Sequence, residues 1–200
     1  MIRAIDTIHD GRKFRSRLEA RWAVFYSYLG IPYEYEKEGF KLDEVLYLPD
    51  FWLPNQESWV EIKGQMPSED ESRKCALLAS STEKMVYLFY PTIPNDPGHW
   101  DTDSAEAFFP EGSWDNAYAW CICQDCGTLG IQFNGRSDRL PCKMCHGCAE
   151  RVTDNGIALT EDDCCLGKCP RHGGNLDKGY TYDHPKLLLA YDAARMARFE

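Results

Sequence analysis

An α/β domain built on a mixed β-sheet flanked by helices, with a small metal-binding appendage and a closing helix, is what three observations predict. Helical and strand-like hydrophobic patterns alternate through the first ninety residues, in the order helix, three strands, helix, strand. A stretch rich in Pro, Gly, Asp and aromatics then interrupts the pattern. Nine of the ten cysteines fall after residue 120, which marks a change of architecture there. At 200 residues and 44% hydrophobic, the chain is long and apolar enough for one ordinary domain plus an appendage. The divisions expected are 1–92 for the core, 93–119 for an acidic connector, 120–180 for a zinc-binding region and 181–200 for a C-terminal helix.

The first helix is expected over residues 12–29, after the turn signal Asp10-Gly11, with Phe14, Leu18, Trp22, Phe25 and Leu29 as its buried stripe. Gly30-Ile31-Pro32 ends it. Arg12, Lys13, Arg15, Arg17 and Arg21 make this segment the most basic in the chain, with Arg15, Arg17 and Arg21 as candidate phosphate contacts. Glu19 lies among them, four residues after Arg15, where pairing with that arginine on the surface is the plainest reading.

Residues 33–40 alternate aromatic and charged side chains, as in a half-exposed strand. Two further strands, 46–53 and 59–63, flank a turn at Pro54-Asn55-Gln56. Each breaks its apolar pattern with acid: Asp50 in the first and Glu61, followed by Lys63, in the second. Because successive strand side chains alternate in face, Val60 and Ile62 can bury while Trp59, Glu61 and Lys63 share the other face. If the two strands pair, Asp50 reaches the same place, giving two carboxylates with an ammonium beside them. Ser68, followed by Glu69, Asp70 and Glu71, reads as the N-cap of a second helix running to about Ala79, with Cys75, Leu78 and Ala79 inward. The continuous apolar run 85–90 fits a strand covered on both faces. Residues 91–114 read as connector with one helical turn, and His99 within it has no regular ligand spacing.

The net charge of −10 disfavours a nucleic-acid partner, but its distribution is uneven. Residues 1–90 carry 12 basic and 15 acidic residues, whereas 91–120 carry six acids and neither Lys nor Arg. Contact with a phosphate backbone therefore has to come from a local patch such as the first helix. No apolar run reaches the roughly 18–20 residues of a membrane span, and the N-terminus lacks a signal-peptide core, so a cytoplasmic protein without a membrane partner is expected.

Cys123-x2-Cys126 and Cys142-x2-Cys145, fifteen residues apart, have the spacing of a tetrahedral zinc site, and Asn134-Gly135 suits a hairpin turn between them. Cys121, His146 and Cys148 are alternative ligands. Cys148, Cys164, Cys165, Cys169 and His172 could hold a second zinc or be surplus thiols. Zinc here would be structural, stabilising a segment poor in apolar residues. The final helix is expected to start at Asp183-His184-Pro185, with Leu187, Leu188, Tyr191, Ala194 and Phe199 on its apolar side, packing on the body or on a second copy.

Pro49-Asp50 followed by Glu61-Ile62-Lys63, with Glu19 on the preceding helix, resembles the PD-(D/E)XK nuclease motif. The spacing is similar to that of phage Holliday-junction endonucleases and transposon-end-cleaving endonucleases. The string FRSRLEARWAVFYSYLGIPYEYE, together with the closing AYDAARMARFE, also resembles proteins of actinobacteria and their phages. The resemblance covers roughly residues 10–90 and leaves the cysteine-rich part outside it. It implies a restriction-endonuclease-like fold and Mg²⁺- or Mn²⁺-dependent hydrolysis of DNA, branched DNA included, in a bacterial or phage-infected cytoplasm; the zinc-ribbon subdomain is expected from the cysteine spacing alone. A homodimer would supply two active sites. Asp50, Glu61 and the Ile62 carbonyl would hold Mg²⁺, Glu19 a second ion or one of its waters, and Lys63 the attacking water. The competing expectation is a non-catalytic zinc-ribbon module that binds nucleic acid or protein on an inactive nuclease fold.

Overall fold

The computed structural model describes residues 5–95, 105–123, 127–135 and 182–199. The chain opens with a hairpin, β1 (Thr7–His9) and β2 (Arg12–Phe14), which turns at Asp10 and Gly11, both at positive φ. The expected first helix is therefore shorter at its start. Asp-Gly is a two-residue hairpin turn, and Phe14 packs in the core from a strand, not from a helix. Helix α1 (Arg17–Leu29) begins one residue after its N-cap Ser16, whose hydroxyl accepts from the Glu19 amide. It ends at Gly30 in the left-handed conformation, where glycine is favoured.

The segment after α1 is more broken than the sequence suggests. It contains β3 (Glu34–Tyr35), a separate hairpin of β4 (Phe40–Leu42) and β5 (Val45–Tyr47), then β6 (Phe51–Leu53). The expected strand 46–53 is thus two strands in different sheets, divided at Leu48-Pro49-Asp50. Proline cannot donate to a ladder and restricts the residue before it, which accounts for the break. Next come β7 (Ser58–Ile62), α2 (Glu69–Thr82) and β8 (Met85–Phe89). Helix α2 starts as expected: Ser68 and Glu71 form a reciprocal capping box.

The expected connector 93–119 is corrected by two strands, β9 (Ala105–Phe108) and β10 (Trp114–Ile122), and β11 (Leu129–Phe133) follows. These join a seven-stranded sheet in the order β11-β10-β9-β8-β7-β6-β3. The β7–β8 pair is parallel, with α2 as the crossover, and the other pairs are antiparallel, so the sheet is mixed. The connector reading failed because Ala105, Ala107 and Phe108 are buried strand residues around a half-buried Glu106, a short pattern that the Pro and Asp content of the segment obscures. Residues 129–133 likewise pair with β10 in the main sheet, and Asn134 and Gly135, both at positive φ, form a turn at the end of β11.

Helices cover both sheet faces. Against one face lie α1 and α3 (Pro185–Met196), burying Trp22, Phe25, Tyr26, Phe51, Val60, Ile62, Phe89, Trp120 and Tyr191 in one cluster. Tyr191 stacks on Phe25 at 4.6 Å between ring centroids, so the C-terminal helix belongs to the body's own core. Its N-cap is His184, one residue later than expected, and Pro185 takes the first helical position. Helix α2 covers the other face, over Trp59, Val86, Leu88 and Phe108. Trp59 and Val60 thus point to opposite layers, and all five residues of β7 are buried. No helix among the described residues is long and apolar enough to cross a membrane.

Candidate active site

The β6–β7 register aligns Phe51 with Val60, and one step further it sets Asp50 opposite Glu61. Asp50 sits just before β6, where its backbone carbonyl accepts from the Glu36 amide at 2.9 Å. Its side chain turns back onto β7: Oδ2 accepts from the Ile62 amide at 2.8 Å. A carboxylate therefore continues the ladder where proline has ended the backbone pairing. Its other oxygen, Oδ1, accepts from Arg15 Nη2 at 2.6 Å.

Asp50 and Glu61 are both 3% exposed, far more buried than carboxylates usually are. Burial pushes the Asp50 pKa well above the ordinary range, reinforced by the charges of Glu61 and Glu19 and opposed by Lys63 and the Ile62 amide. Glu61 Oε1 accepts from Lys63 Nζ at 2.5 Å, while Glu61 Oε2 is buried without a hydrogen-bond partner. An unsatisfied carboxylate oxygen in a folded interior is costly and calls for a ligand. Lys63 reaches the site because its amide still pairs with the Phe89 carbonyl at 2.9 Å, which extends the β7–β8 ladder by one residue. Burial works against its charge, but Glu61, Asp50 and Glu71 outweigh that and raise its pKa, so it is an ammonium.

Glu19 is brought close to this pair, yet its oxygens are committed. Oε1 accepts from the Ser16 hydroxyl at 2.6 Å; Oε2 accepts from the Tyr35 hydroxyl at 2.6 Å and the Arg15 amide at 3.1 Å. Glu19 is 7% exposed, so the expected surface pairing with the Arg15 guanidinium is corrected. The side chain is the N3 carboxylate of the helix start instead. Among the described residues, no three carboxylate, imidazole or thiol groups converge into a ready-made metal cage. What is assembled is a pair, Asp50 and Glu61, with Lys63 alongside and Glu19 behind.

The surroundings are polarised. On the α1 side stand Arg15 and Arg17, exposed, with Arg21 one turn further and its Nε buried without a partner. On the α2 side, the in-register row Glu61–Leu88–Glu106 leads toward a cavity of about 460 Å³ whose lining includes Glu69, Glu106, Tyr90 and Trp114.

Sequence reading missed several supporting groups. Tyr35 orders Glu19, and the Tyr47 hydroxyl adjoins Cys75 Sγ at 3.7 Å and the Glu61 carboxylate; burial and those two neighbours push its pKa well up. Cys75 is a buried core thiol as expected. The overlooked signal was Ser16-x-x-Glu19, a capping-box spacing that predicts the helix start and a local role for Glu19 there. Of the zinc candidates, Cys126, Cys142, Cys145, Cys148, Cys164, Cys165, Cys169 and His172 lie outside the described residues. The Cys123 carbonyl accepts from the Gly127 amide at 2.8 Å, and its own amide donates to the Thr128 carbonyl at 2.9 Å. Cys121 is a core residue on β10, its thiol directed at the Gly130 carbonyl at 3.5 Å.

Fold and site together define an α/β protein with a mixed sheet covered on both faces and a buried carboxylate pair on adjacent strands. Compared with protein-family models, curated proteins and solved structures, the chain has no match.

Proposed function

We propose that the chain is a metal-dependent endonuclease of the PD-(D/E)XK type, hydrolysing phosphodiester bonds in DNA. The observation that carries this is the buried Asp50–Glu61 pair with an unpartnered Glu61 oxygen and an ammonium at Lys63. Two carboxylates and a vacant acceptor suit a hard divalent cation such as Mg²⁺ or Mn²⁺, which takes oxygen ligands from few protein groups. The order α1, strands through β7, α2, β8 agrees with a restriction-endonuclease-like core.

Asp50 and Glu61 would hold the metal with the Ile62 carbonyl, and the metal would supply charge stabilisation for the phosphoryl oxygens and a more acidic water. Lys63, kept protonated by the surrounding acids, suits orienting that water and offsetting charge on phosphorus better than removing a proton. Glu19 holds the Arg15 backbone and the α1 N-terminus in place rather than reaching for a second ion. Arg17 and Arg21 would meet the backbone of the substrate. Zinc on Cys123, Cys126, Cys142 and Cys145 would order the cysteine-rich region, with Cys148, Cys164, Cys165, Cys169 and His172 available to a second ion. Double-strand or junction cleavage would engage two copies of the chain.

The second reading is a non-catalytic nucleic-acid- or protein-binding module. It draws on the Arg15 guanidinium that occupies Asp50 and on the commitment of Glu19 to the helix start. Cleavage of linear, branched and single-stranded DNA in Mg²⁺ or Mn²⁺ decides between them. The endonuclease reading expects wild type to cut at least one substrate and Lys63→Ala to lose about 100- to 1,000-fold in rate, the usual cost of removing one transition-state contact. Wild type inert on every substrate, or Lys63→Ala as fast as wild type, would refute it.

A further inference from the structure

Asp50 already has a cation. Arg15 Nη2 lies 2.6 Å from Asp50 Oδ1, and Arg15 Nε lies 2.6 Å from Glu36 Oε1. The other Asp50 oxygen accepts from the Ile62 amide, so the guanidinium is the cation that the carboxylate now carries. Beside it lies the Glu61 carboxylate with its unpartnered Oε2. A divalent ion bridging Asp50 and Glu61 would stand at the guanidinium's own contact, where two cations repel strongly across a partly dry gap.

The two ends of Arg15 differ in freedom. Its amide is fixed by Glu19 Oε2 at 3.1 Å and by the Tyr35 hydroxyl at 3.0 Å. Its side chain is 51% exposed, with the guanidinium at the surface of a buried carboxylate. The residue is therefore a fixed pivot carrying a head that can swing. Once off Asp50, the half-exposed planar fork has solvent beside it, and its geometry matches a phosphate bidentately.

We propose that Arg15 is an exchangeable internal counter-ion: it neutralises Asp50 until a divalent metal takes its place, and the released guanidinium then binds a substrate phosphate. It is a positioning residue that couples metal loading to nucleic-acid binding. This rests on the metal-dependent reading above, and it accounts for Arg15 at Asp50 without an inactive site.

The test uses the full chain and no cleavage step. Titration calorimetry with Mg²⁺ and with Ca²⁺ compares wild type, Arg15→Gln and Arg15→Lys. Removing the competitor should tighten metal binding about three- to tenfold in Arg15→Gln, the range for a partly exposed charge-assisted pair. In ¹⁵N-labelled wild type, the arginine Nε–H resonance absent from Arg15→Lys should shift or vanish as metal saturates. Binding of a short DNA duplex should tighten on adding Ca²⁺ in wild type, and this gain should be lost in Arg15→Gln. If wild type takes up no divalent cation at tens of millimolar, the metal-dependent reading itself falls. If wild type binds metal but Arg15→Gln binds equally or more weakly, the exchange is refuted. An Arg15 resonance unmoved by saturating metal refutes it too, and needs only Arg15→Lys to fold.

Discussion

Replacing Asp50 by Asn should make the protein more stable and unable to respond to metal. Asn keeps the size of Asp and an acceptor for the Ile62 amide, now 2.8 Å from Oδ2, and removes a charge that is 3% exposed beside Glu61 and Glu19; what it gives up is the half-exposed ion pair with Arg15, 2.6 Å from Oδ1, the smaller contribution. A stabilising substitution of this kind contributes about 1–2 kcal/mol. In a chain of this size that raises Tm by about 2–8 °C, taking 2–4 °C per kcal/mol. The sign of the pH dependence follows from the raised pKa of Asp50. Its destabilising effect is absent below the ordinary value of 3.8, grows as pH rises toward the elevated folded-state value, and is complete above it. The advantage of Asn in EDTA should therefore grow as the pH is raised and shrink as it is lowered toward 3.8. Metal reverses the comparison: at ten times Kd, Mg²⁺ should stabilise wild type by about 1.4 kcal/mol, or about 3–6 °C, and leave Asp50→Asn unmoved. Differential scanning calorimetry with EDTA or Mg²⁺ reads all of this. If Asp50→Asn gains as much from Mg²⁺ as wild type, Asp50 is not a metal ligand; if it melts below wild type in EDTA, the contacts of Asp50 with Ile62 and Arg15 outweigh the cost of burying its charge and the stability reasoning fails.

Other outcomes follow from the same contacts. Ser16→Ala removes the α1 N-cap and one partner of Glu19, and should cost about 1 kcal/mol, seen as a lower urea midpoint with unchanged m. Trp22→Ala empties a fully buried ring site among Phe25, Phe89 and Tyr191 and should cost about 3–5 kcal/mol by the same measurement. Elemental analysis of protein purified without added zinc should find at least one Zn per chain. A metal-free chain whose cysteine-rich region is folded would remove the zinc-site proposal.

Much of the site was legible because its residues obey local rules. Strand alternation put Val60 and Ile62 on one face and Glu61 on the other, and the sheet bears this out, with Val60 and Ile62 packed under α1 and α3. The Ser68 cap, the inward Cys75, Leu78 and Ala79, and the Gly30 helix stop are also written in short-range chemistry. Glu19 was misplaced because charge type suggested a surface pair, whereas three hydrogen bonds from Ser16, Tyr35 and Arg15 hold it inside. Strands β9 and β10 were missed although they pair with each other and with their sequence neighbours β8 and β11, because Pro, Gly and acidic residues break up their short apolar pattern.

By itself, the sequence determined the α/β class, the carriers of charge at Asp50, Glu61 and Lys63, and the cysteine spacing, because each depends on residue type and on neighbours a few positions away. Only the tertiary structure decided that Asp50 stands in for a broken ladder at Ile62, that Glu61 keeps an unpartnered oxygen and that Arg15 sits on Asp50. The residues concerned are 12, 35 or more positions apart in sequence, and their meeting is set by how the sheet and α1 pack together.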